Sequence, residues 1–247
     1  MYAKLRMELD HNQISYRQSS KLQGVLMEHI DTDYAERLHQ YYLNPYSQYV
    51  VKEKEKMVWY ICTMNQEAYE KVILPMAKLK QIQIRRKEIT AKIEKSTIET
   101  RKEEELIQQF YTEACDRYLN LQFCTPTSFK RDGKYVIYPD LRLIYGSLMR
   151  KYSAASEELD MYDEETLEEL LTNSEIIRYR LQTMPFPLEK VQINGFVGSI
   201  CIKIRGTETM ANYIRLLCRF GEYSGVGIKT SMGMGAMKLL REDKNGR

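Results

Sequence analysis

The sequence is poor in histidine and cysteine, two side chains that often hold metal ions. Only three of its 247 residues are His and five are Cys. The cysteines are odd in number and form no C-x-x-C pair, which argues against a disulfide framework and a zinc knuckle. So few histidines also argue against histidine-rich metal chemistry. We therefore expect no metal site and no cofactor.

Long apolar runs are missing too. No stretch reaches the roughly 18 consecutive apolar residues that a membrane-spanning helix needs, and the first residues contain no apolar signal core. We expect no membrane association and a cytoplasmic location. The formal net charge is only +3, so any binding of nucleic acid must depend on local basic patches. Hydrophobic residues make up 43% of the chain, which is enough for a core and excludes global disorder.

The first half of the chain reads as strand, helix, strand, strand, helix, strand. Residues 1–10 alternate apolar and polar side chains, as a half-buried strand does. Helical spacing follows from Leu22 to Leu38, with a break near Asp31. The other predicted elements are strands at 46–51, 57–62, 82–84 and 89–93, and a helix that starts after Asn65. This order matches a ferredoxin-like domain.

The second half repeats the pattern loosely. Residues 101–115 are predicted to be helical, and the later strands are expected at 119–124, 135–138, 177–181, 192–204 and 236–240. We predict an α+β fold with two tandem ferredoxin-like (RRM-like) domains, 1–118 and 119–247. The segment 157–169 holds eight acidic residues and no Lys or Arg, which predicts a solvated face that repels nucleic acid.

The sharpest local signal is a glycine-rich segment near the C-terminus. It contains two G-x-G pairs separated by five residues: Gly225, Gly227, Gly233 and Gly235. No G-K-[ST] closes the segment, and the third glycine is too distant for a dinucleotide fingerprint. Glycines permit positive φ and a close backbone approach to phosphate, and Lys229, Thr230 and Ser231 add donors at the centre. An ordinary tight loop before a strand would show the same glycines.

Three separated stretches resemble one known family. The first contains Leu22-Gln23-Gly24, Leu38-His39 and Pro45-Tyr46-Ser47; the second contains Cys124 to Phe129, Gly133 to Val136, Pro139 and Ser147-Leu148; the third is the glycine-rich segment. In this order they are similar to the repeat-cleaving CRISPR-associated endoribonucleases, the sixth protein family of the Cas series, within the RAMP superfamily. The resemblance implies tandem ferredoxin-like domains and cleavage of precursor CRISPR RNA within its repeats.

The resemblance also implies a catalytic residue, because His39 falls where the family usually carries its catalytic histidine. RNA can be cut without metal when its own 2′-hydroxyl attacks the adjacent phosphate, giving a 2′,3′-cyclic phosphate and a 5′-hydroxyl. Histidine can serve as the base or the acid of that reaction near neutral pH. The family's usual helper positions are not filled here: Met27 stands at the first, and no Lys lies between His39 and Lys52. Tyr41, Tyr42 and Lys52 are the candidate substitutes.

Basic side chains supply the candidate contacts to RNA phosphates. The segment 78–102 carries nine basic and three acidic residues, and its most basic run is Arg85-Arg86-Lys87. A hairpin there would present its basic face to an RNA backbone, although a Lys-decorated sheet edge would look the same. Lys130-Arg131 and Arg150-Lys151 form smaller patches with the same two interpretations.

Two other function classes compete with the endoribonuclease. One is a non-catalytic RNA-binding RAMP subunit of a CRISPR surveillance complex, which would not need His39. The other is a mononucleotide-binding protein that uses the glycine loop, although no Walker lysine supports it. The partners implied by the resemblance are CRISPR repeat RNA and subunits of a CRISPR effector complex. Monomer and homodimer are both compatible with the sequence.

Overall fold

Two antiparallel sheets with a ferredoxin-like strand order organise the chain. They are seen in a computed structural model that describes residues 1–10, 13–84, 89–114, 116–156, 159–189 and 191–240. Each sheet carries helices on one face, and its apolar side chains form a separate core with those helices. The predicted α+β class and the tandem ferredoxin-like fold are confirmed.

The first sheet has the strand order β2-β3-β1-β5-β4, with every neighbouring pair antiparallel. Its elements are β1 (Tyr2–Leu9), α1 (Ser19–His29), α2 (Thr32–Gln40), β2 (Tyr46–Glu53), β3 (Lys56–Thr63), α3 (Gln66–Ala68), a π-helical turn (Tyr69–Ile73), α4 (Leu74–Ala77), β4 (Gln81–Ile84) and β5 (Ile89–Arg101). Without β4, this is the strand order of a β-α-β-β-α-β unit. The alternation read in residues 1–10 is confirmed, because Ala3, Leu5, Met7 and Leu9 are all buried.

The predicted break between the first two helices is confirmed at Asp31. Ile30 ends α1 in an extended conformation, with φ −103° and ψ 169°. Asp31 then caps α2, and its carboxylate accepts a hydrogen bond from the backbone N–H of Tyr34 at 3.0 Å. A capping side chain of this kind satisfies one of the unpaired amides at a helix start. The cap fixes the direction of α2, at whose end His39 lies.

The second sheet has the strand order β11-β6-β10-β9, again with all neighbours antiparallel. The elements from the connecting helix onward are α5 (Glu103–Thr112), β6 (Tyr118–Thr127), β7 (Phe129–Arg131), β8 (Lys134–Val136), α6 (Leu141–Ala155), α7 (Glu164–Thr172), β9 (Ser174–Pro187), β10 (Gln192–Ile204), α8 (Glu208–Ser224) and β11 (Met237–Leu240). Of the strand predicted at 135–138, only Tyr135 and Val136 are in a strand, and that strand, β8, pairs with β7 in a separate hairpin. The predicted boundary after residue 118 falls at the first residue of β6 and stays a prediction.

Helix α8 connects the two halves. Met210, Ile214 and Leu217 pack into the core of the second sheet. Phe220 and Tyr223 belong to a third apolar cluster. This cluster also contains Tyr2 and other side chains from the face of the first sheet that is opposite its own helices. The rings of Tyr2 and Phe220 are 5.6 Å apart in an edge-on arrangement. This packing places the glycine-rich segment, which follows α8, beside the first half of the chain.

Candidate functional site

The glycine-rich segment forms a loop between α8 and β11. All four of its predicted glycines have positive φ: 62° at Gly225, 79° at Gly227, 112° at Gly233 and 71° at Gly235. At Gly227 a side chain is also excluded by space, because an added Cβ would lie 2.3 Å from the carbonyl oxygen of Ser128. The glycines therefore allow a backbone path that another residue would strain and displace.

Hydrogen bonds fix the loop to the second sheet and to α6. The backbone N–H groups of Ile228 and Gly235 donate to the carbonyl oxygens of Ser128 (3.0 Å) and Pro126 (3.1 Å). The N–H of Gly227 donates to the side-chain hydroxyl of Ser147, at 2.9 Å. The mouth of the loop is closed by a bond from the N–H of Val226 to the carbonyl of Gly235, at 2.8 Å. The loop is thus held in one shape from both sides.

Lys151 lies beneath this loop, one turn after Ser147 on α6. Its Nζ donates to the carbonyl oxygens of Ser224 and Gly225 (3.2 and 3.1 Å) and to the hydroxyl of Thr230 (3.1 Å). The side chain is buried, and burial lowers the pKa of Lys151 to about 7. In the sequence Lys151 was noticeable only as part of a small basic patch. The four-residue spacing to Ser147 is the signal that both side chains share a helix face.

The other side of the loop touches the first half of the chain. Gly233 packs against Ser19, the first residue of α1, so closely that a Cβ there would lie 2.2 Å from that of Ser19. The hydroxyl of Tyr46 accepts from the side chain of Gln23 at 3.2 Å and also interacts with Ser231. Burial raises the pKa of Tyr46 to about 12, so this hydroxyl keeps its proton at neutral pH. Both domains therefore contribute to the surroundings of the loop.

An open cleft of about 530 Å³ lies between the domains at this loop. It is lined by the segment after α2 (Tyr41, Tyr42, Leu43, Asn44), the β7–β8 hairpin (Phe129, Lys130, Tyr135), α6 (Leu143, Ser147, Arg150, Lys151) and the loop itself (Gly227, Ile228, Lys229, Thr230, Ser231). Among these described residues four are basic and none is acidic. Such a lining attracts an anionic ligand, and its exposed tyrosine rings offer faces on which bases can stack.

His39 lies in the last turn of α2, at the entrance to the segment that lines the cleft. Leu38 is on the buried face of α2, whereas the next residue, His39, is exposed. Two residues span at most about 7 Å, so the Cα of His39 lies within that distance of the Cα of Tyr41. The next residue, Tyr42, is 96% exposed. Tyr42 thus lines the same cleft as the predicted loop donors Lys229, Thr230 and Ser231, and His39 lies two residues before Tyr41, the first residue of that lining.

Other predicted site residues lie elsewhere. Lys52 is near the far end of β2, about 20 Å along the strand from Tyr46, and its ammonium is 3.5 Å from a carboxylate oxygen of Glu55. Of the hairpin patch, Lys130 lines the cleft, whereas Arg131 forms an ion pair with Asp140 at 3.2 Å. Strands β4 and β5 form the predicted hairpin. Its basic turn, Arg85-Arg86-Lys87, falls outside the described residues.

Clustered metal ligands and membrane-spanning helices are both absent from the described residues. No group of three or more His, Cys, Asp or Glu side chains is clustered there in a way that could hold a metal ion. Among the helices described, none has both the length and the apolar character needed to cross a bilayer. Among the cysteines that the structure describes, those at positions 62, 124 and 201 are free thiols.

The tandem ferredoxin-like fold agrees with the architecture that the resemblance to RAMP proteins implied, and a glycine-rich loop lies at its basic cleft. Comparison with known sequences narrows the class. The family model described as "CRISPR-associated endoribonuclease Cas6" matches residues 121–237. A Cas6 endoribonuclease of Streptococcus thermophilus is 37% identical over 219 residues, which cover 89% of this chain and 90% of that protein. One from Mycobacterium tuberculosis is 35% identical over 221 residues, covering 88% and 70%. The chain belongs to the CRISPR-associated endoribonuclease Cas6 family.

Solved structures share the fold. A Cas6 product complex superposes with a TM-score of 0.81 at 23% identity, covering 97% of this chain and 99% of that one. A Thermus thermophilus Cas6 gives 0.73 at 20% identity, covering 97% and 98%. A RAMP protein described as binding different RNA substrates gives 0.58 at 14% identity, covering 98% and 100%. At these identities the likeness supports the tandem ferredoxin-like architecture.

Proposed function

We propose that this protein binds CRISPR repeat RNA in the interdomain cleft and cleaves precursor CRISPR RNA within each repeat, which yields mature guide RNAs. The cut follows from attack of the RNA's own 2′-hydroxyl on the adjacent phosphate, without a metal ion. The products are a 2′,3′-cyclic phosphate and a 5′-hydroxyl. The proposed partners are repeat RNA and subunits of a CRISPR effector complex, and the proposed location is the cytoplasm; monomer and homodimer stay open.

One observation supports this proposal: the cleft, whose described lining residues include four basic and no acidic side chains, begins at Tyr41, two residues after the exposed His39. Lys229 and Lys130 line the cleft and are proposed to contact phosphates, and Thr230 and Ser231 add hydroxyl groups. RNA is a polyanion whose affinity for proteins depends mainly on such contacts. We propose that His39 reaches a phosphate held at this entrance.

The proposed chemistry needs a proton acceptor for the 2′-hydroxyl and a proton donor for the departing 5′-oxygen. His39 takes one of these roles. Tyr42 is the candidate for supporting it, since its hydroxyl is exposed at the cleft two residues after Gln40 ends α2. Lys52 has no part in the proposal, because it lies at the opposite end of β2.

Single-turnover cleavage of an RNA that contains one repeat from the CRISPR array of the source genome tests the proposal. We expect cleavage in excess EDTA, and no cleavage when the nucleotide on the 5′ side of the cut carries 2′-deoxyribose. His39→Ala should slow the cut by about 10²–10⁴-fold at nearly unchanged RNA affinity. His29→Ala is the matched control, because its ring contacts the backbone oxygen of Val25 within α1, at 2.7 Å.

Three results would count against the proposal. Activity lost in EDTA and restored by Mg²⁺ would contradict the metal-independent route. If His39→Ala cleaves at a rate within about threefold of the parent rate, another residue must take the acid–base role. Binding of repeat RNA without any cleavage by the parent protein would favour the non-catalytic RNA-binding subunit.

A further inference from the structure

We propose that Lys151 is a positioning residue that sets the shape of the glycine-rich loop for RNA binding without contacting RNA itself. The inference rests on the proposed function, because it assigns the loop to RNA. It concerns a buried side chain on α6 that takes no part in the acid–base chemistry. The ligand is the same RNA backbone that Lys229 and Lys130 are proposed to contact.

The amino group of Lys151 joins two parts of the loop that are separate in sequence. Its bonds to Ser224 and Gly225 hold the point where α8 ends, and its bond to Thr230 holds the turn at the loop's centre. The last carbonyl groups of a helix have no partner within the helix, so they are free to accept from this lysine. One side chain therefore fixes the distance between the start of the loop and its donor-bearing centre.

Thr230 is the residue through which this anchor acts on the cleft. It lies between Lys229 and Ser231, which both line the cleft, and it begins a single 3-10 turn, Thr230–Met232. Lys229 itself has a left-handed backbone, with φ 55°. That conformation is unfavourable for a residue with a side chain and persists only where its surroundings hold it. The bond from Lys151 to Thr230 supplies such a restraint immediately after Lys229.

The surroundings of Lys151 separate it from a phosphate contact. Lys151 donates to two backbone carbonyls and one hydroxyl, and no carboxylate pairs with it among the described residues. An amino group buried in this way is costly unless its hydrogen bonds are satisfied. All its donors point into the loop. Loss of Lys151 should therefore weaken RNA binding but leave the salt dependence of that binding unchanged.

The experiment compares Lys151→Met with Lys130→Met in the full chain. Lys130 is the matched control because it lines the same cleft from an exposed strand. Affinity for the repeat RNA is measured at several salt concentrations, and amide hydrogen exchange of residues 225–236 is measured without RNA. For Lys151→Met we expect about a tenfold loss of affinity, which is the loss expected if about one molecule in ten has its loop in the binding-competent shape. Its log–log salt slope should equal the parent's, and its loop amides should exchange faster.

For Lys130→Met we expect weaker binding, a slope reduced by about 0.7, and unchanged exchange in the loop. A reduced slope in Lys151→Met would overturn the inference, because it would show a direct phosphate contact. Unchanged affinity and exchange would overturn it as well. If Lys151→Met does not fold, Thr230→Val is the alternative variant, because it removes one of the three acceptors of Lys151. Loop amides that exchange at the same rate as in the parent protein, or more slowly, would then refute the proposal. A parent protein that binds no RNA refutes the proposed function, while the exchange data still decide the role of Lys151.

Discussion

Gly227→Ala is the substitution whose consequence the structure specifies most completely. The native φ of 79° lies in the left-handed region, where a residue with a Cβ costs about 1–2 kcal/mol more than glycine. The new Cβ would also lie 2.3 Å from the carbonyl oxygen of Ser128, so one of the two backbones has to move. That same oxygen accepts the N–H of Ile228 at 3.0 Å, and displacing it weakens a bond worth about 1 kcal/mol.

The combined loss is about 2–3 kcal/mol of unfolding free energy. For a chain of this size that corresponds to a fall in melting temperature of roughly 4–12 °C, measured by thermal unfolding followed by circular dichroism. RNA affinity should fall as well, because the loop can no longer lie on both Ser128 and Ser147.

Gly133→Ala is the matched control for backbone strain. Its φ of 76° is nearly identical, but nothing lies within 4 Å of a Cβ at that position in the β7–β8 turn. We expect it to show only the strain of about 1–2 kcal/mol and to leave RNA affinity intact. Equal melting temperatures and equal RNA affinities for the two variants would refute the argument that Ser128 excludes a side chain at Gly227.

Three further predictions concern single side chains at or near the cleft. Lys229→Ala should weaken RNA binding and reduce the slope of log affinity against log salt concentration by about 0.7. Lys52→Ala should leave both the affinity and the slope unchanged. Equal effects of the two substitutions would contradict the assignment of the cleft as the RNA-binding site. Tyr42→Phe should slow single-turnover cleavage less than His39→Ala does, at unchanged RNA affinity, and a larger effect would make Tyr42 the principal acid–base group. The folded-state pKa of Lys151, about 7, is below its usual 10.5, so the folded chain binds fewer protons than the unfolded chain between these values. The free energy of unfolding should therefore rise with pH in this window, by up to about 1.4 kcal/mol per pH unit, relative to Lys151→Met. Denaturant titrations at pH 7 and pH 9 that show a constant difference between the two proteins would disprove the lowered pKa of Lys151.

Much of the architecture followed from local sequence patterns. The alternation in residues 1–10, the break at Asp31 and the strands of β2 and β3 were all predictable, because burial of one face imposes a period of two or 3.6 residues on the chain. The order of these elements was enough to predict the ferredoxin-like sheet. The 135–138 segment was predicted as a strand but not as part of a separate hairpin, because local alternation does not reveal a strand's partner.

The composition of the cleft was decided by tertiary packing. In the sequence, Lys52 and Tyr42 were equal candidates for the helper of His39. In the structure, Lys52 lies near the far end of the extended strand β2, whereas Tyr42 lies in the segment after α2 and lines the cleft. The glycines showed that a loop was present, yet not that Ser128, Ser147 and Ser19 would surround it. Lys151 looked like one more surface lysine, since nothing local distinguishes a solvated amino group from one buried beneath a loop. Local periodicity reports only which face of an element is buried, whereas the neighbours of a side chain depend on contacts between segments that are distant in sequence.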